Sequence, residues 1–335
     1  KTTLFFAGLF GIAFSINAQT IVNTGAGNKH VVLEEFTGTS CSNCPAGHTE
    51  ANNISTSNPG LVHIIAYGPS NSSFTTPVNG ATDFRRPFAN AFYTSSYCSP
   101  SSGSRFMPSA FINRKLSNGD ILQSRSVWSG MATSTLAESA PMNIGVKSTY
   151  NSSAQTLTID VEVFYTSTVT ANNNINVMIT EDNITSAYQS GSSATAQNPY
   201  VYKHTFRENV TTQQWGDPVT GATTSGSLVT KQYVFDLSTA IDPITIAEAE
   251  VVAFILNSDA SNKEIYTGIS APVNGGQAST GVFTSVNEIN NPIKVSLFPN
   301  PSNGNVSIII NGENTNKIEI FNVLGEVIYT QNLGN

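Results

Sequence analysis

The residues with the clearest chemical potential are Cys41 and Cys44, which form a C-x-x-C motif followed by Pro45. The motif comes directly after the apolar run 31–36, so a strand, a tight turn and a helix are expected there. This arrangement places the first cysteine at a helix N-terminus, where unpaired N–H groups and the helix dipole favour a thiolate. Such a pair can be a redox centre, or it can be a permanent disulfide in an oxidising compartment. The spacing leaves both chemistries open.

Histidines do not extend this motif into a predicted metal or haem site. His48 lies close to the cysteines in sequence, but zinc needs a fourth ligand or an open position with water, and no nearby residue supplies a ligand at the usual spacing. Proline in place of histidine after C-x-x-C excludes c-type haem attachment. The remaining histidines, His30, His63 and His204, are scattered singly, and we expect each to be satisfied or solvated. The sequence predicts no metal and no cofactor.

Two further features bear on the chemistry. Glu34 and Glu35 are neighbours on the predicted strand, so their side chains point to opposite faces and cannot form a paired-carboxylate site. We expect one of them to be buried near the cysteines. The third cysteine, Cys98, lies in a loop-like Ser-rich stretch and is predicted to be an unpaired thiol of no special role. Pairing of Cys98 between chains stays open.

Composition and processing signals indicate an exported protein. Lys1, the apolar run 4–14 and the small residue Ala18 predict a signal peptide over residues 1–18, too short to span a membrane. The record does not begin with Met and has no Cys after Ala18, so we expect a clipped sequence and no lipid anchor. Only 11% of residues are charged and the net charge is −7 without Lys/Arg clusters, which argues against nucleic acid and anionic lipid as partners. No transmembrane segment is predicted.

The residue pattern divides the chain into three folded parts. Residues 29–140 combine buried strands with three weak helices, the last capped by Asp120, and predict an α/β domain. Residues 141–272 alternate apolar and polar side chains over about seven strands, which is typical of an immunoglobulin-like β-sandwich. The Ser/Ala/Gln-rich loop 186–199 is predicted to be mobile or to bind something. Residues 273–294 are a predicted linker, and residues 295–335 show too few strands to close a third sandwich.

The α/β part resembles the thioredoxin superfamily in two places. Residues 35–44 are similar to the active-site region, and residues 105–109 are similar to the loop that holds a cis-proline against the cysteines. The resemblance implies a thioredoxin-like fold in which Cys41 is the nucleophile and Cys44 the resolving thiol. It further implies that Glu35 is a buried acid that relays a proton, and that Pro108 is cis.

Residues 31–271 as a whole resemble the outer membrane protein 28-related family. The tail resembles the type A C-terminal sorting domain of the type IX secretion system, without that domain's usual closing strands. The matching residues include Phe298, Pro299, Asn300, Pro301, Gly304 and Gly325. The resemblance implies the type IX secretion machinery as a partner, export across the outer membrane, and display at the cell surface or release.

Two functions follow from these features. The first is a surface or secreted binding protein, adhesive in character, with a structural Cys41–Cys44 disulfide and an unknown surface ligand or protein partner. The alternative is an extracytoplasmic thiol–disulfide oxidoreductase that uses Cys41 and Cys44 with Glu35 and Pro108. We favour the first, because the dipeptide between the cysteines brings no His or Lys to stabilise a thiolate and an extracellular protein has no obvious electron donor.

Overall fold

The computed structural model describes residues 20–191 and 199–283, together with four separate strands between residues 294 and 332. This part of the chain is mostly β and contains three α-helices. The helices are α1 (Cys44–Ser57), α2 (Pro87–Thr94) and α3 (Arg125–Leu136), and short 3-10 turns lie at Ser96–Cys98, Leu237–Thr239 and Ile246–Glu248.

The strands are numbered in chain order. Those of the first half are β1 (Val31–Phe36), β2 (Val62–Pro69), β3 (Arg85–Arg86), β4 (Ser109–Ile112) and β5 (Gln123–Ser124). Those of the second half are β6 (Met142–Asn151), β7 (Thr156–Tyr165), β8 (Asn173–Glu181), β9 (Ile184–Ser186), β10 (Tyr200–Tyr202), β11 (Thr205–Asn209), β12 (Asp217–Pro218), β13 (Leu228–Asp236), β14 (Ala249–Asn257), β15 (Ile265–Pro272) and β16 (Gln277–Ser279). The last four are β17 (Lys294–Phe298), β18 (Ser307–Asn311), β19 (Lys317–Phe321) and β20 (Val327–Asn332).

The first half contains three helices, as predicted, but the predicted N-cap residue of α3 is wrong. Pro45 and Pro87 occupy the first turns of α1 and α2, where a missing N–H costs no hydrogen bond. Helix α3 begins at Arg125, and the residue before it occupies the N-cap position. The predicted cap, Asp120, instead accepts hydrogen bonds from the backbone N–H and the hydroxyl of Ser101, at 2.6 and 3.0 Å. Its carboxylate therefore fixes a loop.

The two halves of the chain contribute strands to one ten-stranded mixed sheet. Strand β2 is central: it pairs in parallel with β1 on one side and with β11 on the other, where Thr205 lies opposite Ala66. Strand β1 continues to β4 in the antiparallel sense, and β11 continues through β8 and β14 to β15. The α/β segment and the β-rich segment are therefore joined through backbone hydrogen bonds.

A second, antiparallel sheet of four strands covers the β-rich end of the large sheet, in the order β13, β7, β6, β16. Strand β7 alternates between buried and half-buried residues along its whole length, which confirms the period-two pattern there. The side chains between the two sheets form an apolar core that includes Ile144, Val161, Val177 and Val251.

The predicted linker over 273–294 includes structured residues. Strand β16 pairs with β6, and the backbone of Gly25 pairs with that of Val282. The first compact unit ends at Phe283 and a second spans residues 284–335. Within the second unit, β17 pairs with β18 and β19 pairs with β20, both antiparallel.

A buried ion pair connects the elements of the first unit. Arg114 donates two hydrogen bonds to the Glu34 carboxylate, at 2.7 and 2.6 Å, and both side chains are fully buried. The guanidinium also lies 5.0–5.2 Å from the ring centres of Phe92, Trp215 and Phe254. Because two of these rings belong to the second half of the chain, the arginine packs both halves together.

We predict that Glu34→Gln lowers the free energy of unfolding by about 3–5 kcal/mol, because it leaves the Arg114 charge buried without a counter-ion. Urea denaturation measures this change. The matched control is Asp83→Asn, which removes the exposed Asp83–Arg85 pair and is expected to cost at most about 1 kcal/mol. Equal losses of unfolding free energy in the two variants would contradict the prediction that the buried pair stabilises the fold more than the exposed pair does.

Candidate functional site

Cys41 and Cys44 form a disulfide, with a sulfur–sulfur distance of 2.08 Å. Helix α1 begins at Cys44, so Cys41 lies in the turn before the helix and not at its first residue. Cys41 is 1% exposed and Cys44 is fully buried, whereas the intervening Ser42 and Asn43 are exposed. The disulfide predicted from the sequence is therefore present, and its sulfur atoms lie beneath the surface.

A segment of the second half is hydrogen-bonded to the turn that carries this disulfide. We call residues 186–191 the strap. Its central side chain, Gln189, is 1% exposed and donates from its amide nitrogen to the carbonyls of Cys41 at 3.0 Å and Gly38 at 3.3 Å. The amide oxygen of Gln189 accepts a hydrogen bond from the Tyr202 hydroxyl. The carboxamide is therefore bonded to the cysteine turn and to Tyr202 of β10, and its nitrogen also donates to the carbonyl of Ser190 at 2.7 Å.

Backbone and hydroxyl contacts attach the strap on both sides of Gln189. The backbone N–H of Ser190 donates to the carbonyl of Thr39 at 2.8 Å. The hydroxyl of Ser186 accepts from the backbone N–H of Thr82 and donates to the carbonyl of Tyr188, both at 3.0 Å. The sequence indicated only that loop 186–199 is mobile or binds something. Residues 192–198 of that loop lie outside the described residues.

Glu35 and Pro108 meet against helix α1 at a glycine. The Met107–Pro108 peptide bond is cis, as the thioredoxin resemblance implies. A Cβ atom at Gly47 would lie 2.5 Å from a carboxyl oxygen of Glu35 and 2.7 Å from the Cβ of Pro108. A larger residue at position 47 would therefore displace the helix or one of these two side chains. The structure brings Glu35, Pro108 and the C-x-x-C helix together.

The Glu35 carboxyl is buried with little hydrogen bonding. Its Oε1 atom has no hydrogen-bond partner among the described residues, and the His48 Nε2 atom lies 3.9 Å away. Burial raises the pKa of Glu35 well above its usual value, so the neutral acid is the favoured form. A small cavity of about 80 Å³ adjoins this carboxyl, with Tyr200 and His204 among its lining residues.

His48 is held in one orientation beside Glu35. Its Nε2 atom lies 2.6 Å from the Thr37 hydroxyl and its Nδ1 atom 2.7 Å from the Tyr200 hydroxyl. Burial lowers the pKa of His48 to about 4, so the ring is neutral near pH 7. Two hydroxyl groups occupy both ring nitrogens, which leaves this histidine satisfied.

Two of the histidines that are scattered singly in the sequence meet in the fold, where they have hydrogen-bond partners. His30 Nδ1 lies 3.3 Å from His63 Nε2, and His63 Nδ1 lies 3.0 Å from the Ser270 hydroxyl. Burial lowers the pKa of His63 to about 3 and that of His30 to about 4. His204 lines the same open cleft, of about 510 Å³. The parallel pairing of β1 with β2 brings His30 and His63 together. The positions of the two histidines in the sequence do not reveal how these strands pair.

The third cysteine is inaccessible. Cys98 is 2% exposed, carries a free thiol and packs with the apolar side chains around Phe36 and Phe92. Burial raises its pKa to about 12, which keeps the thiol protonated. The loop assignment missed this burial because the Ser-rich neighbours of Cys98 gave no apolar pattern.

We predict that Glu35→Gln gains stability relative to wild type as pH rises above 4.5. Above this pH the unfolded chain releases the Glu35 proton while the folded protein keeps it, so the wild type loses about 1.4 kcal/mol per pH unit up to the folded pKa. The glutamine variant has no proton to release there. Urea denaturation of both proteins between pH 4.5 and 8 measures the difference, in which the contributions of the buried histidines cancel. Parallel stability curves would contradict the raised pKa.

The C-terminal segment carries the export signal. Residues 296–335 match the family model described as Secretion system C-terminal sorting domain. This match implies the type IX secretion machinery as a partner and export to the cell surface or outer membrane. Phe298 is the last residue of β17, whereas Pro299, Asn300, Pro301, Gly304, Gly325 and the signal peptide 1–18 lie outside the described residues. Among those that are described, no helix has the length and apolarity to cross a membrane.

The chain is similar to several solved structures. HBP35 of Porphyromonas gingivalis is similar with a TM-score of 0.58 and 18% identity, over 91% of both chains. A protein of Agrobacterium tumefaciens has a TM-score of 0.45 and 14% identity, over 77% of this chain and 97% of its own. A domain of the outer membrane lipoprotein Omp28 from Porphyromonas gingivalis has a TM-score of 0.27 and 16% identity, over 40% of this chain and 89% of its own. Only the first likeness is strong enough to show a shared fold.

Family membership rests on the sequence. No curated protein matches the chain. The family model described as Outer membrane protein Omp28 matches residues 99–266, which is half of the chain and includes the cis-proline and much of both sheets. The chain therefore belongs to the Outer membrane protein Omp28 family.

Proposed function

We propose that this exported surface protein binds a partner outside the cell and that its Cys41–Cys44 disulfide is a structural brace. The observation that carries the proposal is the burial of both cysteines in a turn to which the strap is hydrogen-bonded. A thiol that exchanges with partner proteins must be reached by an attacking sulfur. Here both sulfur atoms are buried, and Gln189 is bonded to the carbonyl of Cys41 itself.

We further propose that residues 29–140 form a thioredoxin-like unit joined to an immunoglobulin-like sandwich. The parallel pair β1 and β2, the antiparallel β4, the C-x-x-C turn before α1 and the cis-proline support the first assignment. The packing of the four-stranded sheet on the β-rich end of the large sheet supports the other. In this arrangement the brace fixes the turn on which the strap is seated.

A surface binding role is supported by the sorting domain and by the polar surface of the chain. Export places the protein where partners are other surface molecules, and the low charge favours contacts that are not mainly electrostatic. We propose that the loops of the sandwich carry the recognition surface. In the first half, the cysteine turn and α1 are already occupied by the contacts around the disulfide.

One observation favours the alternative, a thiol–disulfide oxidoreductase. Glu35, cis-Pro108 and the C-x-x-C helix converge at Gly47, which is the arrangement that such an enzyme needs. In that reaction the Cys41 thiolate attacks a partner disulfide, one partner sulfur leaves as a thiolate, and Cys44 then displaces the second. Two electrons pass to the partner, so an external dithiol must supply them again for each turnover.

We expect a reduction potential below about −300 mV for Cys41–Cys44, because a disulfide that stabilises the folded state is thermodynamically hard to reduce. Equilibration with dithiothreitol redox buffers, read by alkylation and mass spectrometry, measures the potential. Insulin reduction by the wild type should not exceed that by Cys41→Ser. A potential above about −270 mV, the range of known oxidoreductases, together with turnover that Cys41→Ser abolishes, would establish the alternative.

We expect the double substitution Cys41→Ser/Cys44→Ser to lower the free energy of unfolding by about 2 kcal/mol, as the loss of a short closed loop predicts.

Deletion of the protein should reduce attachment or ligand uptake by the cells that display it. Expression of the double variant at a temperature where it stays folded should restore that function, because a brace has no chemical role. Failure of a folded, exported double variant to restore it, with rescue by the wild type, would contradict the proposal.

A further inference from the structure

The strap presents an unusual recognition site within the chain. Gly38 and Cys41 offer two backbone carbonyls, and Tyr202 offers a hydroxyl, around a recess that the Gln189 carboxamide fills. Two acceptors and one donor match the NH₂ group and the oxygen of a primary amide. The amide nitrogen also lies 2.7 Å from the carbonyl of Ser190, which belongs to the strap itself, so its two hydrogens are shared among three acceptors.

We propose that the strap is an intramolecular plug, and that the Gln189 carboxamide controls access to the Cys41–Cys44 disulfide. The plug comes from a different part of the chain than the turn that it contacts, since it begins at Ser186, the last residue of β9. It contacts the turn through the Gln189 side chain and the Ser190 backbone rather than through an apolar core. Few apolar contacts mean that a segment can open locally while the two sheets stay folded.

The hydrogen-bonding groups of the recess explain why residue 189 is a glutamine. A carboxylate there would place an oxygen against the carbonyls of Gly38 and Cys41, with no hydrogen to donate. An apolar side chain would leave the buried Tyr202 hydroxyl and both carbonyls without this partner, which is costly in a buried site. The amide satisfies all three groups.

The state of the plug sets the reactivity of the disulfide. With the plug seated, an incoming thiolate cannot approach either sulfur. With the plug displaced, we expect an incoming thiolate to approach the disulfide from the side of the exposed Ser42 and Asn43. This inference stands on the contacts of the strap and holds whether the disulfide is a brace or a redox centre.

The test is the rate at which dithiothreitol reduces the disulfide in the folded protein. The reagent's first thiolate attacks one sulfur and breaks the Cys41–Cys44 bond, and its second thiol closes a ring and leaves two protein thiols. Because loss of several hydrogen bonds increases the opened population, we expect Gln189→Ala and Gln189→Glu to react roughly tenfold faster or more. The matched control is Gln232→Ala, which removes an exposed glutamine on β13 that donates to Asp160 and should keep the wild-type rate.

Urea separates local opening from unfolding. Well below the unfolding midpoint, the Gln189→Ala rate should change little with urea, because displacing a strap exposes little surface. A rate that rises with the full slope of global unfolding would overturn the proposal, and so would a wild-type rate in a folded Gln189 variant. Insulin turnover by the wild type would contradict the proposed structural role but would leave this comparison intact.

A second variant, Tyr202→Phe, tests the proposal without changing Gln189. Tyr202→Phe removes only the hydroxyl that donates to Gln189 and retains the ring that packs 4.4 Å from the centre of Phe84. We expect a smaller rate increase, severalfold over wild type, because one of the contacts is lost. If the Gln189 variants do not fold, an unchanged rate in Tyr202→Phe overturns the proposal.

Discussion

The buried pair of Glu34 and Arg114 is the constraint on which the first unit depends. A charge removed from water needs an opposite charge and hydrogen bonds at short range, and Arg114 obtains both from a single carboxylate. The aromatic rings around the guanidinium come from α2, from the second half before β13, and from β14. Neither half of the chain can therefore separate without exposing this group.

The cysteine turn depends on that arrangement. Strand β1 carries Glu34 on one face and Glu35 on the other, so the residue that meets Arg114 and the residue that meets α1 are fixed together. Gly47 then lets α1 approach both Glu35 and the cis-proline. The disulfide closes the turn at the start of the helix, and the strap of the second half is hydrogen-bonded to that turn. Each contact uses a position that the preceding one has fixed.

Local features of this structure were accessible from the sequence. The alternation in β7, the prolines in the first turns of α1 and α2, and the C-x-x-C turn are set by neighbouring residues and can be inferred from them. The resemblance to thioredoxins supplied the cis bond at Pro108. These inferences succeed because side-chain burial in strands has a period of two and because proline restricts its own backbone.

Features that depend on distant pairing were not accessible. The contact of His30 with His63 requires the register of β1 and β2, and the role of Gln189 requires backbone carbonyls that no side-chain pattern encodes. Composition marked the strap only as a polar loop. Asp120 shows the same limit on a small scale, since a good capping residue found other donors in a neighbouring loop.

The central place of β2 also bears on how the chain acquires its fold. One edge of β2 can pair with β1 as soon as both have been synthesised, but the other edge must wait for β11, far along the chain. Until then an apolar parallel strand presents unpaired backbone groups, which are a template for aggregation. A sheet completed by such distant contacts forms slowly. The first half therefore cannot complete its sheet until the second half has been synthesised.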